Sequence, residues 1–515
     1  MTLFNRSPKG NSSRGSTRGF YIGSTEAEAE NKKGKLNHGH YFEDYLEILP
    51  QIEQGRFIIS GRKGSGKSAI AKFIKDKADE MKDAYADLIR LSDLELEKLK
   101  QFDERNEFEN KERILVEWVI LVRLIGLIVQ NEDAQYISEF KPLKKFLDRN
   151  AGIVKIDQFE VTEIILNKKY EVSFEVLSRA FRPVFGKYFD IKTVKAPFYK
   201  LINPLKEIIQ KILNYEVNNS KDFILLFDDL DINLKAYDEK NINAITELIR
   251  ISKNYNNEIF RNTQARIIVL IRDDIKKLID SFHSDTAKIF TSYEIVLNWY
   301  DHESFKFNEN YTQLKKFINK RIRLNFEEKN LTFDQSDPWS TLVANEDPYY
   351  FDKTAFKFIL DHSFYRPRDL ILFFNPIGQN DFKYPLRSNE IKFLLKTYAE
   401  ENMREIKNEL SLLMTSVEIN QLMNVLKEIS VPQTITNQHI ENAIHKYKLS
   451  ISADVVVKLF CSYSLLGLKD KKCQKIYFSH RENFDLESMI LSDFDFIIHK
   501  VPYLYFNPSV QSFFG

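Results

Sequence analysis

The chain has 515 residues, 43% hydrophobic and 29% charged, with 75 Lys+Arg against 74 Asp+Glu and a formal net charge of +1. That length allows two to four domains with sizeable cores. The balanced charge gives no global pull towards nucleic acid or an anionic membrane, so any such contact must come from a local patch.

Residues 1–19 are basic and rich in Ser and Gly, lack the apolar core of a secretory signal, and read as a flexible tail. Thr25 to Asn31 (TEAEAEN) begins the first helix-like segment. His38 and His40 stand two apart, share no helix face and read as loop residues. The segment Arg56 to Ser60 reads as a short buried strand, and Ala69 to Ile74 opens an amphipathic helix. Between them GRKGSGKS, Gly61 to Ser68, meets the phosphate-binding pattern G-x-x-x-x-G-K-[ST] at every fixed position. Gly61, Gly64 and Gly66 let backbone N–H groups, with Lys63 and Ser65 between them, turn towards phosphate oxygens at a helix N-terminus. Lys67 is then expected to reach the β- and γ-phosphates of ATP, and the Ser68 hydroxyl to ligate Mg²⁺.

A second strand is expected at Ala86 to Leu91. A long helical insertion follows at about 95–218, with helices near Glu107 to Gln130, Tyr136 to Arg149 and Tyr199 to Tyr215. The apolar run Val116 to Val129 is too short for a membrane span and contains Glu117 and Arg123, so it reads as a buried helix. KDFILLFDDLD, Lys221 to Asp231, places an apolar strand before Asp228 and Asp229, as a Walker B element does. Asp228 is assigned to Mg²⁺ and Asp229 to the attacking water, while Asp231 fits a turn or a helix N-cap about as well.

ARIIVLIRDD, Ala265 to Asp274, is a further buried strand ending at Arg272, and Tyr293 to Leu297 another. Arg272 either supplies charge to the γ-phosphate or pairs with its neighbouring aspartates. A helical block runs from Tyr311 through Asn375, in which Arg321 and Arg323 are candidate inter-subunit contacts or ordinary exposed charges. FYRPRDLILFF puts Arg366 and Arg368 at a helix start, where cations are unfavourable unless an anion is near. They serve a lid over the nucleotide or an ion pair with Asp369 or a distant acid. From about Met403 the pattern is winged-helix-like: helices near Val417 to Glu428, Thr436 to Tyr447 and Ala453 to Leu466, then a wing hairpin of Lys475 to His480 with Phe494 to His499. Cys461 and Cys473 form no C-x-x-C pair and have no clustered histidines, which argues against a zinc site and fits a reducing cytoplasm.

The expected fold is α/β: an AAA-type P-loop NTPase core at 20–300 with a mostly parallel sheet, a helical lid at 301–402 and a winged-helix-like domain at 403–515. The order GRKGSGKS, LLFDDLD, IIVLIRDD, YRPRDLI resembles bacterial P-loop ATPases near the STAND, KAP and origin-recognition branches of the AAA-type ATPases. It looks especially like one bacterial family known simply as P-loop ATPases, along most of the chain. The resemblance implies Mg·ATP binding and hydrolysis, a strand-tip arginine matching Arg272, a lid arginine matching Arg368, and switch behaviour, many bacterial members acting in anti-phage or mobile-element systems. The chain departs from it in having Asp229 where many relatives have glutamate, a large helical insertion and no recognisable toxic effector domain, which points to a separate partner chain.

Two functions follow as expectations. The first is an ATP-driven cytoplasmic switch that controls a protein effector, as a homo-oligomer and without membrane contact. The alternative is a DNA-handling ATPase using the C-terminal domain on duplex. The candidate recognition helix, Ser452 to Asp470, carries Lys458 and little else basic before its end, which favours protein contact, although KDKKCQK could touch phosphates from a wing. A small-molecule kinase fits less well, being compact without such an insertion.

Overall fold

The computed structural model describes residues 15–32, 41–90, 111–150, 171–190, 192–230, 239–283, 285–347, 350, 353–411, 413–431, 434–482, 489 and 491–507. His38, His40 and Asp231 lie outside them. The chain forms two compact units, Ala27–Asn298 and Met1–Glu26 with Trp299–Gly515.

The first unit is built on a five-stranded sheet, β1 (Ile58–Gly61), β2 (Ala84–Arg90), β5 (Asp222–Asp228), β6 (Arg266–Arg272) and β7 (Glu294–Val296), in the order β2-β5-β6-β1-β7. Every neighbouring pair is parallel. Parallel strands need crossovers, and α1 (Ile48–Glu53), α2 (Lys67–Glu80), α3 (Lys111–Ile128), α4 (Phe140–Arg149), α5 (Ile202–Leu213), α6 (Glu239–Asn254), α7 (Asp273–Phe282) and α8 (Thr286–Tyr293) lie among them. Side chains alternate between the two faces of the sheet. Phe223, Leu225 and Phe227 of β5 and Ile267, Val269 and Ile271 of β6 join the core with α3, α5 and α6. Leu226, Ile268 and Leu270 point into the other core with Ile70 and Ile74 of α2.

The helix expected as the heart of an insertion belongs to the first of these cores. α3 is apolar on nearly all sides, and Trp118, Ile120, Leu121, Leu124, Ile125 and Ile128 are buried against the sheet and its neighbouring helices. A helix with no polar face has to be covered all round. Its Arg123 reaches Asp87 of β2 at 3.3 Å, so the one interior cation is neutralised. Among the described residues no helix is long and apolar enough to cross a membrane. A small antiparallel ribbon, β3 (Glu171–Ser173) with β4 (Lys195–Pro197), stands apart from the main sheet.

In the second unit, α9 (Gln313–Glu328), α10 (Ala355–Asp361), α11 (Pro367–Phe374) and α12 (Ser388–Leu410) are followed by α13 (Ser416–Ile429), α14 (Asn437–Tyr447) and α15 (Ala453–Ser462). Then come β8 (Leu466–Asp470), β9 (Ile476–Tyr477), β10 (Phe494–Ile498) and α16 (Lys500–Phe506), the three strands forming an antiparallel sheet in the order β10-β8-β9. The expected third helix to Leu466 ends four residues earlier, and the pairing partner of Phe494–Ile498 is β8 rather than the Lys475–His480 segment. α12 continues across the expected 402/403 boundary, with Ile391, Leu394, Leu395, Tyr398, Met403 and Ile406 buried along one stripe.

Residues 15–26 belong with this second unit rather than with the sheet unit. The N–H groups of Thr17 and Gly19 donate to Phe382 and Gly378 carbonyls at 2.9 Å, and Phe20 packs edge-on against Phe326. Arg321 helps hold that segment: it is buried, donates to the Ile22 carbonyl at 2.7 Å and lies over the Phe317 ring. The inter-subunit and exposed-charge readings of Arg321 are therefore corrected, whereas Arg323 stays near the surface with a 3.5 Å contact to the Gln335 carbonyl.

Candidate functional site

The strands of the parallel sheet all present their C-terminal ends on one edge, and the sequence's glycine loop, acid pair and strand-tip arginine gather there. Gly61 ends β1 in register with Arg272 at the end of β6, and Asp228 ends β5 in register with Arg90 at the end of β2. β6 stands between β1 and β5. At the usual strand spacing the loop and the acid pair are then separated by about 9–10 Å.

The loop from Gly61 to Ser68 turns from β1 into α2 through Gly64 (φ 80°) and Gly66 (φ 102°), both in the left-handed region that other L residues rarely adopt. Gly61 has a different reason to be glycine, since a Cβ there would stand 2.6 Å from Ser65 Oγ and 2.9 Å from Leu297 Cβ. Lys63 and Ser65 lie on the turn itself, Ser65 N–H donating to the Arg62 carbonyl at 3.1 Å. Lys67 is the first residue of α2 and is buried; its ammonium donates to the carbonyls of Gly61 (2.7 Å) and Arg62 (3.1 Å). Ser68, one residue on, is exposed. A lysine ammonium beside backbone N–H groups at a helix N-terminus is an arrangement suited to an anion.

Asp228 is buried at the tip of β5. Asp229 follows with φ 52°, a left-handed conformation that aspartate tolerates better than most residues, and its Oδ2 lies 3.6 Å from Arg90 Nε. Arg272 Nε and Nη2 donate to the two carboxylate oxygens of Asp274 at 3.0 and 2.5 Å. Of the two readings open for Arg272, the pair with a neighbouring aspartate is the one observed. Asp273 between them starts α7, and burial raises its carboxyl above the usual range while the Lys67 and Arg62 charges pull it back. Asp273 and Arg90 were not singled out from sequence. The signal was present in both cases, a charged residue at the end of an apolar strand, but only strand order shows what each faces.

Arg366 and Arg368 lie in the second unit. Arg366 donates to Asp369 at 2.7 Å, and Asp369 also takes the N–H groups of Phe364 and Arg366 and the Tyr398 hydroxyl, so the cation at this helix start is answered by a buried carboxylate. Arg368 Nη2 donates to the Thr25 carbonyl at 2.9 Å, and its Nη1 stands 3.9 Å from Glu405.

Among the described residues no group of three or more His, Cys, Asp or Glu is placed to hold a metal ion. That donor set does not fit an all-protein metal cage. Mg²⁺ bound with a nucleotide keeps most of its waters and takes one or two protein oxygens, which Asp228 and Ser68 would supply. Residues 312–407 match the family described as the FunZ-associated C-terminal helical domain, a stretch that opens at the start of α9 and closes within α12. No curated protein matches the chain.

Proposed function

We propose that this chain is a Mg-dependent ATP-binding and hydrolysing switch of the P-loop, AAA-type class that controls a protein effector, acting as a homo-oligomer in the cytoplasm. The observation that carries the reading is the common sheet edge: the Gly61–Ser68 loop with Lys67, and Asp228 and Asp229 one strand beyond β6. ATP with Mg²⁺ would bring the γ-phosphoryl group and its neutralising cation to that edge. Gly64 and Gly66 shape the loop around the phosphates, and Lys67 exchanges its two carbonyl bonds for phosphate oxygens. Asp228 and Ser68 hold the metal, and Asp229 orients water once its carboxylate leaves Arg90. Asp273 adds a negative charge beside Lys67. Arg272, on release from Asp274, is the candidate within this unit for the transition-state charge.

Three helices, α13 to α15, followed by the sheet β10-β8-β9 support a winged-helix reading of the C-terminal part. Its surface favours protein over DNA. The turn between β8 and β9 is rich in lysine, yet Lys471 stands 3.7 Å from Asp495 and Lys475 3.3 Å from Glu482. α15 exposes Asp454, Val455 and Ser462, which is a poor set for base edges. The FunZ-associated stretch, FunZ being linked to defence-type systems, supports an anti-phage setting with a separate effector. The test is phosphate release by the purified chain with and without Mg²⁺, beside calorimetry with a non-hydrolysable ATP analogue. Mg-dependent turnover is expected, and a folded chain that neither binds nor hydrolyses nucleotide would overturn the assignment.

A further inference from the structure

In the second unit two buried histidines join the C-terminal strands to the turn between α10 and α11. His499, 2% exposed, precedes α16 and its Nδ1 accepts the Val501 N–H at 3.2 Å. His480, 6% exposed, accepts the Arg481 Nε–H on its Nε2, also at 3.2 Å. The His499 ring stacks on Phe364 (4.6 Å between centroids, 19°) and the His480 ring on Tyr365 (5.6 Å, 20°). The two imidazoles meet edge to face at 5.1 Å, and Phe478 contacts both.

Each of these rings uses a ring nitrogen as an acceptor facing an N–H donor. A proton on that nitrogen would set donor against donor in a buried site. The surrounding charge is already positive. Arg481 stands 3.6 Å from Asp361 and over the Tyr365 and Phe478 rings, Lys353 pairs with the same Asp361, and Lys500 follows His499 directly. Burial brings the Lys500 ammonium down to about 8. Asp361, which also accepts the Tyr365 hydroxyl at 3.2 Å, is the carboxylate that answers all three, and Glu482 is engaged by Lys475. From α10, His362 contributes a third buried ring, hydrogen-bonded to the Phe358 carbonyl and held to about 3 by burial and the Lys500 charge.

We propose that His480 and His499 form an acid-labile latch, which holds residues 466–482 and 491–500 on α10 and the Phe364–Tyr365 turn as long as both rings are neutral and releases them in mild acid. The sign follows from linkage. A released histidine has an ordinary value of about 6.5, whereas the latched ring resists protonation, so the latch is at full strength above that value and weakens as pH falls below it. With one proton taken up per ring, the opening equilibrium rises about 100-fold per pH unit for the pair.

Amide exchange of the full chain, corrected for intrinsic rate, tests this at neutral and mildly acidic pH. The parent protein is expected to lose protection in acid at Ala355–Tyr365, β8, β9 and β10, while β1, β5 and β6 keep theirs. The double variant His480→Gln with His499→Asn puts an amide carbonyl oxygen in place of each acceptor nitrogen, without a titrating ring, and is expected to lose little. Equal loss in the double variant, or a loss spread evenly over both units, would overturn the latch. Should the variant not fold, proton NMR of the parent decides: both rings are expected to stay neutral until protection is lost. A ring that titrates near its ordinary value while protection persists overturns the proposal.

Discussion

Arg90 Nε lies 3.6 Å from Asp229 Oδ2, on the flank of β5 that faces away from β6 and the glycine loop. A carboxylate paired with that cation is held back from orienting a water. Arg90→Ala is therefore expected to raise ATP turnover by about three- to tenfold with KM unchanged, and to remove the rise that added salt gives the parent by screening the pair. Steady-state rates at low and high salt check it. A fall in turnover would mean that Arg90 aims Asp229 productively.

Lys67→Ala is expected to weaken Mg·ATP binding by about 100-fold or more, since it removes the main point charge on the β- and γ-phosphates. The Gly61 and Arg62 carbonyls it releases can turn to water, so the fold should persist. Calorimetry with a circular dichroism control reads both. Unchanged affinity in a folded variant would remove the loop assignment.

Asp229→Asn should leave nucleotide affinity nearly intact while slowing hydrolysis, whereas Asp228→Asn should also shift the Mg²⁺ requirement upward. Magnesium titrations of turnover in the two variants separate the roles. Full turnover in Asp229→Asn would pass the water-activating role to another acid.

Asp273 has its carboxyl raised above 3.8, by burial first. A raised carboxyl means that the folded state binds the proton more tightly, so stability present in acid is lost as pH rises through the folded value. Asp273→Asn is then expected to raise the melting temperature at neutral pH and to leave it unchanged below the unfolded value. Thermal melts across that range give the answer. A lower melting temperature at neutral pH would show that Asp273 chiefly balances Lys67 and Arg62.

Duplex DNA is expected to bind weakly, without sequence preference, and to dissociate steeply with salt, since Lys471 and Lys475 already have acidic neighbours. Salt-titrated binding to random and genomic duplexes, with and without ATP, is the measurement. Sequence-selective binding at physiological salt that disappears on deleting residues 403–515 would favour the DNA-handling alternative.

The loop at Gly61–Ser68 and the strands around it could be read directly, because glycine spacing and unbroken apolar runs are local properties of the chain. Asp228 and Asp229 followed in the same way from the strand that precedes them. The helix at Lys111–Ile128 was legible as buried from its composition, though not as a cover for the main sheet, because hydrophobicity does not say which surface it will be buried against. β8 was hidden inside an apparent helix, since a short apolar run has no period of its own before it pairs.

The charged residues divide differently. Composition and position marked Arg272, Arg366 and Arg321 as cations needing an explanation. For Arg272 and Arg366 the sequence offered nearby aspartates among its alternatives, and the fold pairs them with Asp274 and the buried Asp369; the partner of Arg321, a carbonyl of the N-terminal segment 299 residues away, came only from the folded chain. Asp273 and Arg90 came into view only with the strand order β2-β5-β6-β1, and the pairing of His480 with Tyr365 and of His499 with Phe364 only with the packing of the C-terminal sheet. Backbone conformation is chosen within a few residues, so sequence reports it. Partners far apart in the chain, such as Arg321 with the Ile22 carbonyl or His499 with Phe364, are fixed only when burial and topology bring them together.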